Sequence, residues 1–133
     1  MNERQVAGHK ARSRGYRAEL QARRRHEANG AVVARFATSR GLSLEGHGFG
    51  DLLVVYPNLT LVVDVKNQKP TPKELNEACD LVGKLPHPPN LGYILEYEDR
   101  KVKRVIHFVA VCADGSTFTP NLSSACEEWQ KPC

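Results

Sequence analysis

The sequence lacks the features that mark membrane, secreted and zinc-binding proteins. No apolar run approaches the roughly 20 residues of a membrane span. The amino-terminal segment is rich in arginine but has no apolar core, so it does not resemble a secretory signal. The four cysteines show neither a C-x-x-C spacing nor a pairing with histidine; they are Cys79, Cys112, Cys126 and Cys133. These absences predict a cytoplasmic chain with free thiols and no zinc site.

Positive charge is concentrated at one end of the chain. Residues 1–40 hold ten Lys or Arg against three Glu, whereas residues 41–133 hold nine against twelve Asp or Glu. Such a basic segment is expected to bind a polyanion, although a solvated charged helix is the alternative. Residues 1–12 lack apolar periodicity, which predicts a flexible basic arm.

The stretch from Gly50 to Lys66 is predicted to form a β-hairpin. Two apolar, β-branched runs flank the turn-forming segment Pro-Asn-Leu-Thr at residues 57–60. Asp51 opens the first strand and Asp64 closes the second, so antiparallel pairing brings both to the same end. Lys66 lies two residues past Asp64 and therefore shares its face of the strand. Two carboxylates and an ammonium at one sheet end suit a hard divalent cation and a phosphate.

The segment before the hairpin is predicted to be a helix, a strand and a loop. Ser13 is expected to cap a helix over residues 14–29, and Gly30 is expected to end it. Residues 31–37 are apolar and predict the first strand. Residues 38–50 contain four glycines and predict a long loop, which is either functional or disordered.

The segment after the hairpin begins with a strong helix-start signal. Thr71 is the expected cap, Pro72 lies in the first turn, and Glu74 completes a capping box for a helix that runs to Leu85. Strands are predicted at residues 91–97 and 102–112, with a charged turn between them at 98–101. A polar tail follows at residues 113–133. The order αβββαββ predicts one α/β domain over residues 1–133, with a mixed central sheet flanked by helices.

Two charged residues near the amino terminus each have two interpretations. Glu19 is the only acid in an arginine-dense stretch, and a pairing with Arg23 one turn later would contribute about 0.2–0.5 kcal/mol. Alternatively, Glu19 lies over the sheet end beside Asp51. Arg35, within the first strand, is either a paired structural residue or a phosphate ligand.

Four segments in this order resemble the motifs of a nuclease family. They are Ser-Arg-Gly-Tyr-Arg-Ala-Glu at 13–19, Arg-Phe-Ala-Thr-Ser at 35–39, Gly-Asp at 50–51 and Asp-Val-Lys at 64–66. Together they resemble the Holliday junction resolvases of archaeal and phage type, in the PD-(D/E)xK nuclease superfamily. The likeness covers residues 12–70 by motif, and it extends to residue 112 by element order. It implies a restriction-endonuclease-like fold with an αβββαβ core. Gly50 stands where the motif has Pro, and Asp64 stands where these resolvases more often carry Glu.

The resemblance implies a role for each matching residue. The carboxylates of Glu19, Asp51 and Asp64, with the carbonyl of Val65, would hold Mg²⁺, for which Mn²⁺ could substitute. Lys66 resembles the catalytic lysine. Ser39 resembles a loop serine that some members need for cleavage. The candidate contacts to the DNA backbone are Arg14, Arg17, Arg35, Arg40 and Lys69.

The function implied by the resemblance is metal-dependent cleavage of four-way DNA junctions at two symmetric points by a two-fold homodimer. One alternative is a nicking, repair or restriction endonuclease that acts on duplex or flap DNA; the lack of an added target-recognition domain argues against it. A second alternative is a nuclease-like fold that binds DNA without cutting, against which the full set of site residues argues. Candidates for the dimer surface are Phe108, Val109, Val111 and Trp129, with core burial as the alternative for the three strand residues.

Overall fold

A six-stranded mixed sheet with one helix on each face forms the framework of the molecule. The computed structural model describes the backbone of residues 3–36, 42–44, 47–98 and 105–120, and side chains within 16–36, 48–98 and 105–120. In chain order the elements are α1 (Glu3–Ala28), β1 (Val32–Arg35), β2 (Leu42–Leu44), β3 (His47–Phe49), β4 (Leu52–Tyr56), β5 (Leu59–Lys66), α2 (Pro72–Gly83), β6 (Leu91–Glu98), β7 (Ile106–Val111) and β8 (Thr117–Phe118). The predicted α/β class with a mixed sheet is therefore confirmed.

The sheet runs in the order β1-β4-β5-β6-β7-β8. Strands β5 and β6 pair in parallel, and the other neighbours in this sheet pair antiparallel. A parallel pair needs a crossover connection, and helix α2 supplies it. Because β5 and β6 run the same way, the residues that end them meet at one edge of the sheet.

The central hairpin forms as predicted, but its turn is shorter. Leu59 pairs with Tyr56, so Pro57 and Asn58 alone connect β4 to β5, and the predicted four-residue turn is wrong. Leu59 is 3% exposed, and burying its side chain favours its inclusion in the strand.

Alternation along the strands divides the core into two clusters. One joins Ala22 of α1 to Leu61 and Val63 of β5, while the other joins Val82 of α2 to Val62 of the same strand. Successive strand residues point to opposite faces of a sheet, so α1 and α2 cover opposite faces. The capping box that begins α2 is present as predicted, because the Glu74 amide donates to Thr71 Oγ1 and the Thr71 amide donates to Glu74 Oε1.

Helix α1 is longer than predicted. It begins at Glu3, so residues 3–12 are helical where an arm was expected, and Ser13 lies inside the helix where a cap was expected. Residues 3–12 include Arg, Gln, Ala and Lys, which favour a helix even without an apolar stripe. The predicted end is confirmed, since α1 stops at Ala28 and Gly30 follows with a φ of 97°.

Two segments predicted as irregular contain short strands. Strands β2 and β3 pair with each other within the predicted loop at 38–50, and β8 lies within the predicted polar tail. Two- and three-residue strands carry too little periodicity to be read from sequence. Trp129 lies outside the described residues.

Gly50 has a backbone that a proline cannot adopt. Its φ is 96°, and a Cβ placed there would lie 2.5 Å from Cγ1 of Val62. Proline fixes φ near −65°, so the Pro of the family motif does not fit here. Glycine allows the chain to turn tightly against β5 just before Asp51.

The structure bears on two predictions: the dimer-surface candidates in the strands, and the free thiols. Val111 is buried, and Phe108 and Val109 pack against the core clusters, so core burial accounts for these three strand residues. Cys79 is a free thiol, whereas Cys112 is disulfide-bonded. The expectation of free thiols is therefore wrong for Cys112, because pairing depends on the distance between sulfurs in the fold, which spacing along the chain does not give.

Candidate functional site

Asp51, Asp64 and Lys66 meet at the end of the β4–β5 hairpin, and we call them the hairpin-end cluster. The Asp51 amide donates to the Val63 carbonyl at 2.7 Å, and the Val65 amide donates to Asp51 Oδ2 at 2.8 Å. Lys66 Nζ lies 3.3 Å from Asp64 Oδ2. The predicted convergence of these three residues is therefore present.

The acidity of Asp51 reflects a crowded carboxylate environment. The pKa of Asp51 is raised to about 7; burial is the largest cause, the charge of the Asp64 carboxylate comes next, and a hydrogen bond with Asp64 and the charge of Glu19 contribute less. The hydrogen bond from the Val65 amide opposes these effects. A carboxyl pair that resists full ionisation is typical of sites that bind a proton or a cation between two acids.

Glu19 reaches this region from helix α1. Its Oε2 lies 3.1 Å from Arg35 Nε, while Arg23 instead pairs with Glu27 at 2.6 Å, so the proposed Glu19–Arg23 pair is wrong. The Glu19–Arg35 contact is an ion pair without hydrogen-bond geometry, because buried Oε2 has no hydrogen-bond partner among the described residues. Glu19 therefore has an oxygen that is ion-paired but not hydrogen-bonded, and its charge acts on Asp51.

The donor chemistry of the site fits a hard cation, but the side chains are not arranged as a finished metal centre. Within the described part of the chain, no group of three or more His, Cys, Asp or Glu is spaced to hold a metal ion. Two adjacent carboxylates and a third with an unsatisfied oxygen nevertheless offer the oxygen ligands that Mg²⁺ accepts. Mg²⁺ usually keeps several waters, so it needs only one or two direct carboxylates from the protein.

The other predicted site residues are not part of the hairpin-end cluster. Arg17 and Lys69 are exposed, as contacts to a DNA backbone need to be, and Arg35 is mostly exposed while paired with Glu19. The side chains of Arg14, Ser39 and Arg40 lie outside the described residues.

A groove on the α2 side of the sheet end is lined by more acidic than basic side chains. It has a volume of about 460 Å³ and includes Asp64 and Lys66 of the cluster. The acidic side chains contributed by α2 are Glu74, Glu77 and Asp80, and Lys84 follows the helix. We call this the α2-side groove; its negative charge disfavours the approach of a second phosphate from this side.

A buried polar cluster on the α1 side was missed by the sequence analysis. His26 Nδ1 lies 2.8 Å from the Tyr56 hydroxyl, to which Asn29 Nδ2 donates at 3.5 Å. His26 Nε2 lies 3.3 Å from Oε1 of Glu96, whose side chain is 0% exposed. The signal available in the sequence was an acid within the apolar run Leu-Gly-Tyr-Ile-Leu-Glu-Tyr of residues 91–97. An acid buried in this way usually has a partner or a function.

Above Glu96 lies a second hollow, of about 200 Å³, between α1 and the ends of β5 and β6. We call it the α1-side hollow. Its side chains come from one stripe of α1 and from the strand ends; they are Arg17, Ala18, Gln21, Arg25, Val65, Lys66, Asn67, Glu96, Tyr97, Glu98 and Ile106. Lys66 thus borders both the hollow and the groove.

Comparison with known proteins does not assign this chain. No protein-family model matches it, and no curated protein matches its sequence significantly. Among the described residues, no helix is long and apolar enough to cross a membrane.

Proposed function

We propose that this protein is a metal-dependent endonuclease that cleaves four-way DNA junctions. The observation that carries the proposal is the meeting of Asp51, Asp64 and Lys66 at the hairpin end, with the Glu19 charge acting on Asp51 from α1. This set matches the motif order of the PD-(D/E)xK nucleases. The succession α1-β1-β4-β5-α2-β6 also supports a restriction-endonuclease-like core.

Asp51, Asp64 and Glu19, with the Val65 carbonyl, are the residues that would hold Mg²⁺ or Mn²⁺. When bound, the ion supplies Lewis-acid polarisation of the phosphate and a bound water of lowered pKa. Asp51 is held in place by the Val65 amide, which donates to its Oδ2. Asp51 must also lose its proton, and a nearby cation favours that loss.

Lys66 provides the cationic group of the site. Its Nζ contacts Asp64 and borders both the groove and the hollow, so it stands where a phosphate would approach the carboxylates. An ammonium there stabilises the negative charge that grows on a phosphate under attack by water. The expected products are a 5′ phosphate and a 3′ hydroxyl.

The junction is the substrate we favour because of symmetry and size. One chain offers one candidate site, whereas a junction is resolved by two symmetric cuts, so a two-fold homodimer matches the substrate. The basic region at residues 1–40 supplies phosphate affinity, which carries little sequence information. The alternative is a nuclease that acts on ordinary duplex or flap DNA. Either enzyme would act in the cell interior.

The test is single-turnover cleavage in Mg²⁺ of a synthetic four-way junction beside a linear duplex of matched sequence. We expect paired cuts in the junction and at least about tenfold slower cleavage of the duplex. Equal cleavage of the two would assign the alternative nuclease function. Absence of cleavage of either DNA, with binding retained, would contradict the nuclease proposal.

A further inference from the structure

We propose that the α1-side hollow binds a second phosphodiester of the DNA backbone, next to the one at Lys66. The inference rests on the proposed function for its choice of ligand, and it adds a binding subsite centred on Arg25. Arg25, Gln21 and Asn67 have no role in the cleavage site described above.

An unusual buried acid lies beneath the hollow. Glu96 is 0% exposed, and neither of its carboxylate oxygens has a hydrogen-bond partner among the described residues. Its nearest charged neighbours are His26 Nε2 at 3.3 Å and Arg25 Nη2 at 3.6 Å, both measured to Oε1. A buried carboxylate without hydrogen bonds is costly, so a purely structural role explains it poorly.

The arrangement leaves Arg25 oriented but incompletely bonded. The Glu96 charge attracts one end of the guanidinium, whose side chain is 36% exposed at the edge of the hollow. Buried Nε of Arg25 has no hydrogen-bond partner within the described residues. The Glu96 charge holds the guanidinium from below while part of the Arg25 side chain is exposed at the edge of the hollow, and an exposed guanidinium edge suits an oxyanion.

The other polar groups of the hollow complete a site for an anion. Gln21 lies one turn before Arg25 and Arg17 lies two turns before it, so the three share a stripe of α1. Asn67 and Lys66 face them from the end of β5. Three cationic side chains line the hollow against two acidic ones, Glu96 and Glu98, and Glu96 is already engaged with Arg25 and His26.

The position of the hollow next to the hairpin-end cluster favours a phosphodiester of a DNA strand as its ligand. Lys66 is shared with the groove that contains Asp64, so an anion in the hollow lies beside a phosphate at the hairpin-end cluster. Successive phosphates of one DNA strand provide such a pair. The net negative charge of the α2-side groove disfavours a path of the DNA strand through that groove. The strand is therefore expected to leave the hairpin-end cluster across α1.

Binding measured in chelator tests the subsite without requiring cleavage. The proteins are wild type, Arg25→Gln, Arg25→Lys and Gln21→Ala, with Arg24→Gln as the matched control, because Arg24 is exposed on the same helix and does not line the hollow. The probe is the four-way junction, titrated over a range of salt concentrations. Thermal melting of each variant checks that it is folded.

We expect Arg25→Gln to weaken junction binding about tenfold and to reduce the log–log salt slope by about one. Arg25→Lys keeps the charge but loses the fork, so it is expected to weaken binding nearly as much. Gln21→Ala should weaken binding by about threefold, and Arg24→Gln should stay within about twofold of wild type. If Arg25 and Gln21 variants all behave like Arg24→Gln, the hollow is not a phosphate subsite.

Two further outcomes separate this inference from the proposed function. The wild type could bind DNA without cutting it in Mg²⁺, while Arg25→Gln binds more weakly. That pair of results would support the phosphate subsite and contradict the nuclease proposal. Inorganic phosphate, added at matched ionic strength, should displace the junction no better than chloride does. Specific displacement by phosphate that depends on Arg25 would assign the hollow to free phosphate and overturn its assignment to a DNA strand.

Discussion

The two faces of the sheet end carry opposite chemistry on the same strands. On the α2 side, apolar packing lies beneath an acidic groove, while on the α1 side a buried histidine and glutamate lie beneath a hollow edged by arginines. Strand alternation makes this possible, because Asp64 and Val65 are neighbours in sequence but face opposite sides. One short strand end therefore presents Asp64 to the groove on one face and borders the hollow on the other.

The largest expected effect is on the hairpin-end cluster. Asp64→Asn removes a negative oxygen ligand and is expected to lower junction cleavage at least about 100-fold, while binding in chelator stays equal or becomes tighter. Asp80→Asn is the matched control, because Asp80 lines the same α2-side groove from an exposed position on α2. Similar rates for the two variants would mean that general negative charge, and not a ligand at the cluster, governs cleavage.

Glu19→Gln tests whether the α1 side contributes to the chemistry. Its ion pair with Arg35 is largely exposed on the arginine side, so stability should change by only about 0.2–1 kcal/mol. We expect cleavage to fall by about 10–100-fold, because the charge of Glu19 acts on Asp51 and its Oε2 has no hydrogen-bond partner among the described residues. Glu27→Gln, which breaks the Arg23 pair on the same helix, should leave turnover unchanged. Unchanged turnover in Glu19→Gln would limit Glu19 to its pair with Arg35.

The raised pKa of Asp51 predicts a pH-dependent cost to stability. The folded protein holds the Asp51 proton up to about pH 7, whereas the unfolded chain releases it near pH 3.8, so wild-type stability falls as pH rises between these values. Asp51→Asn removes that titration. Without divalent cation, the variant should exceed wild type by about 2–4 kcal/mol at pH 8, and the difference should shrink towards pH 4. Urea unfolding at several pH values measures this, and a pH-independent difference would contradict the crowded carboxylate pair.

The smallest expected difference is in the stability lost when the packing of α1 or of α2 against the sheet is weakened. His26→Ala leaves a cavity and removes one partner from the Tyr56 hydroxyl and one from the buried Glu96, so we expect a loss of about 2–4 kcal/mol in the free energy of unfolding. Val82→Ala, on the α2 side, removes only apolar contacts, with a loss of about 2 kcal/mol. Hydrogen exchange should accelerate mainly in α1 for the first variant and in α2 for the second. Equal acceleration in both helices for both variants would contradict two separate attachments.

Sequence predicted the parts that short-range rules control. The hairpin alternation fixed the faces of Asp64 and Lys66, and the capping box located the start of α2 at Thr71 and Pro72. Both signals lie within a few residues of the structure that they specify.

The remaining features depend on contacts distant in sequence. His26 and Tyr56 lie 30 positions apart, and the partnership of His26 with Glu96 depends on how α1 lies across the sheet. The choice of Arg35 over Arg23 as the partner of Glu19 likewise required the position of β1. The first ten residues of α1 have helix propensity but no apolar periodicity, so periodicity alone does not predict that α1 begins at Glu3.

The most direct test of the metal-dependent site is binding of Mn²⁺ to the protein alone, followed by the loss of the free-ion electron paramagnetic resonance signal. We expect wild type to bind Mn²⁺ with a dissociation constant in the millimolar range or tighter, and Asp64→Asn and Asp51→Asn each to abolish that binding. Asp80→Asn, which keeps the hairpin-end cluster intact, should bind as wild type does. Binding that is absent in wild type, or that survives both cluster substitutions, would contradict a cation site at the end of the hairpin.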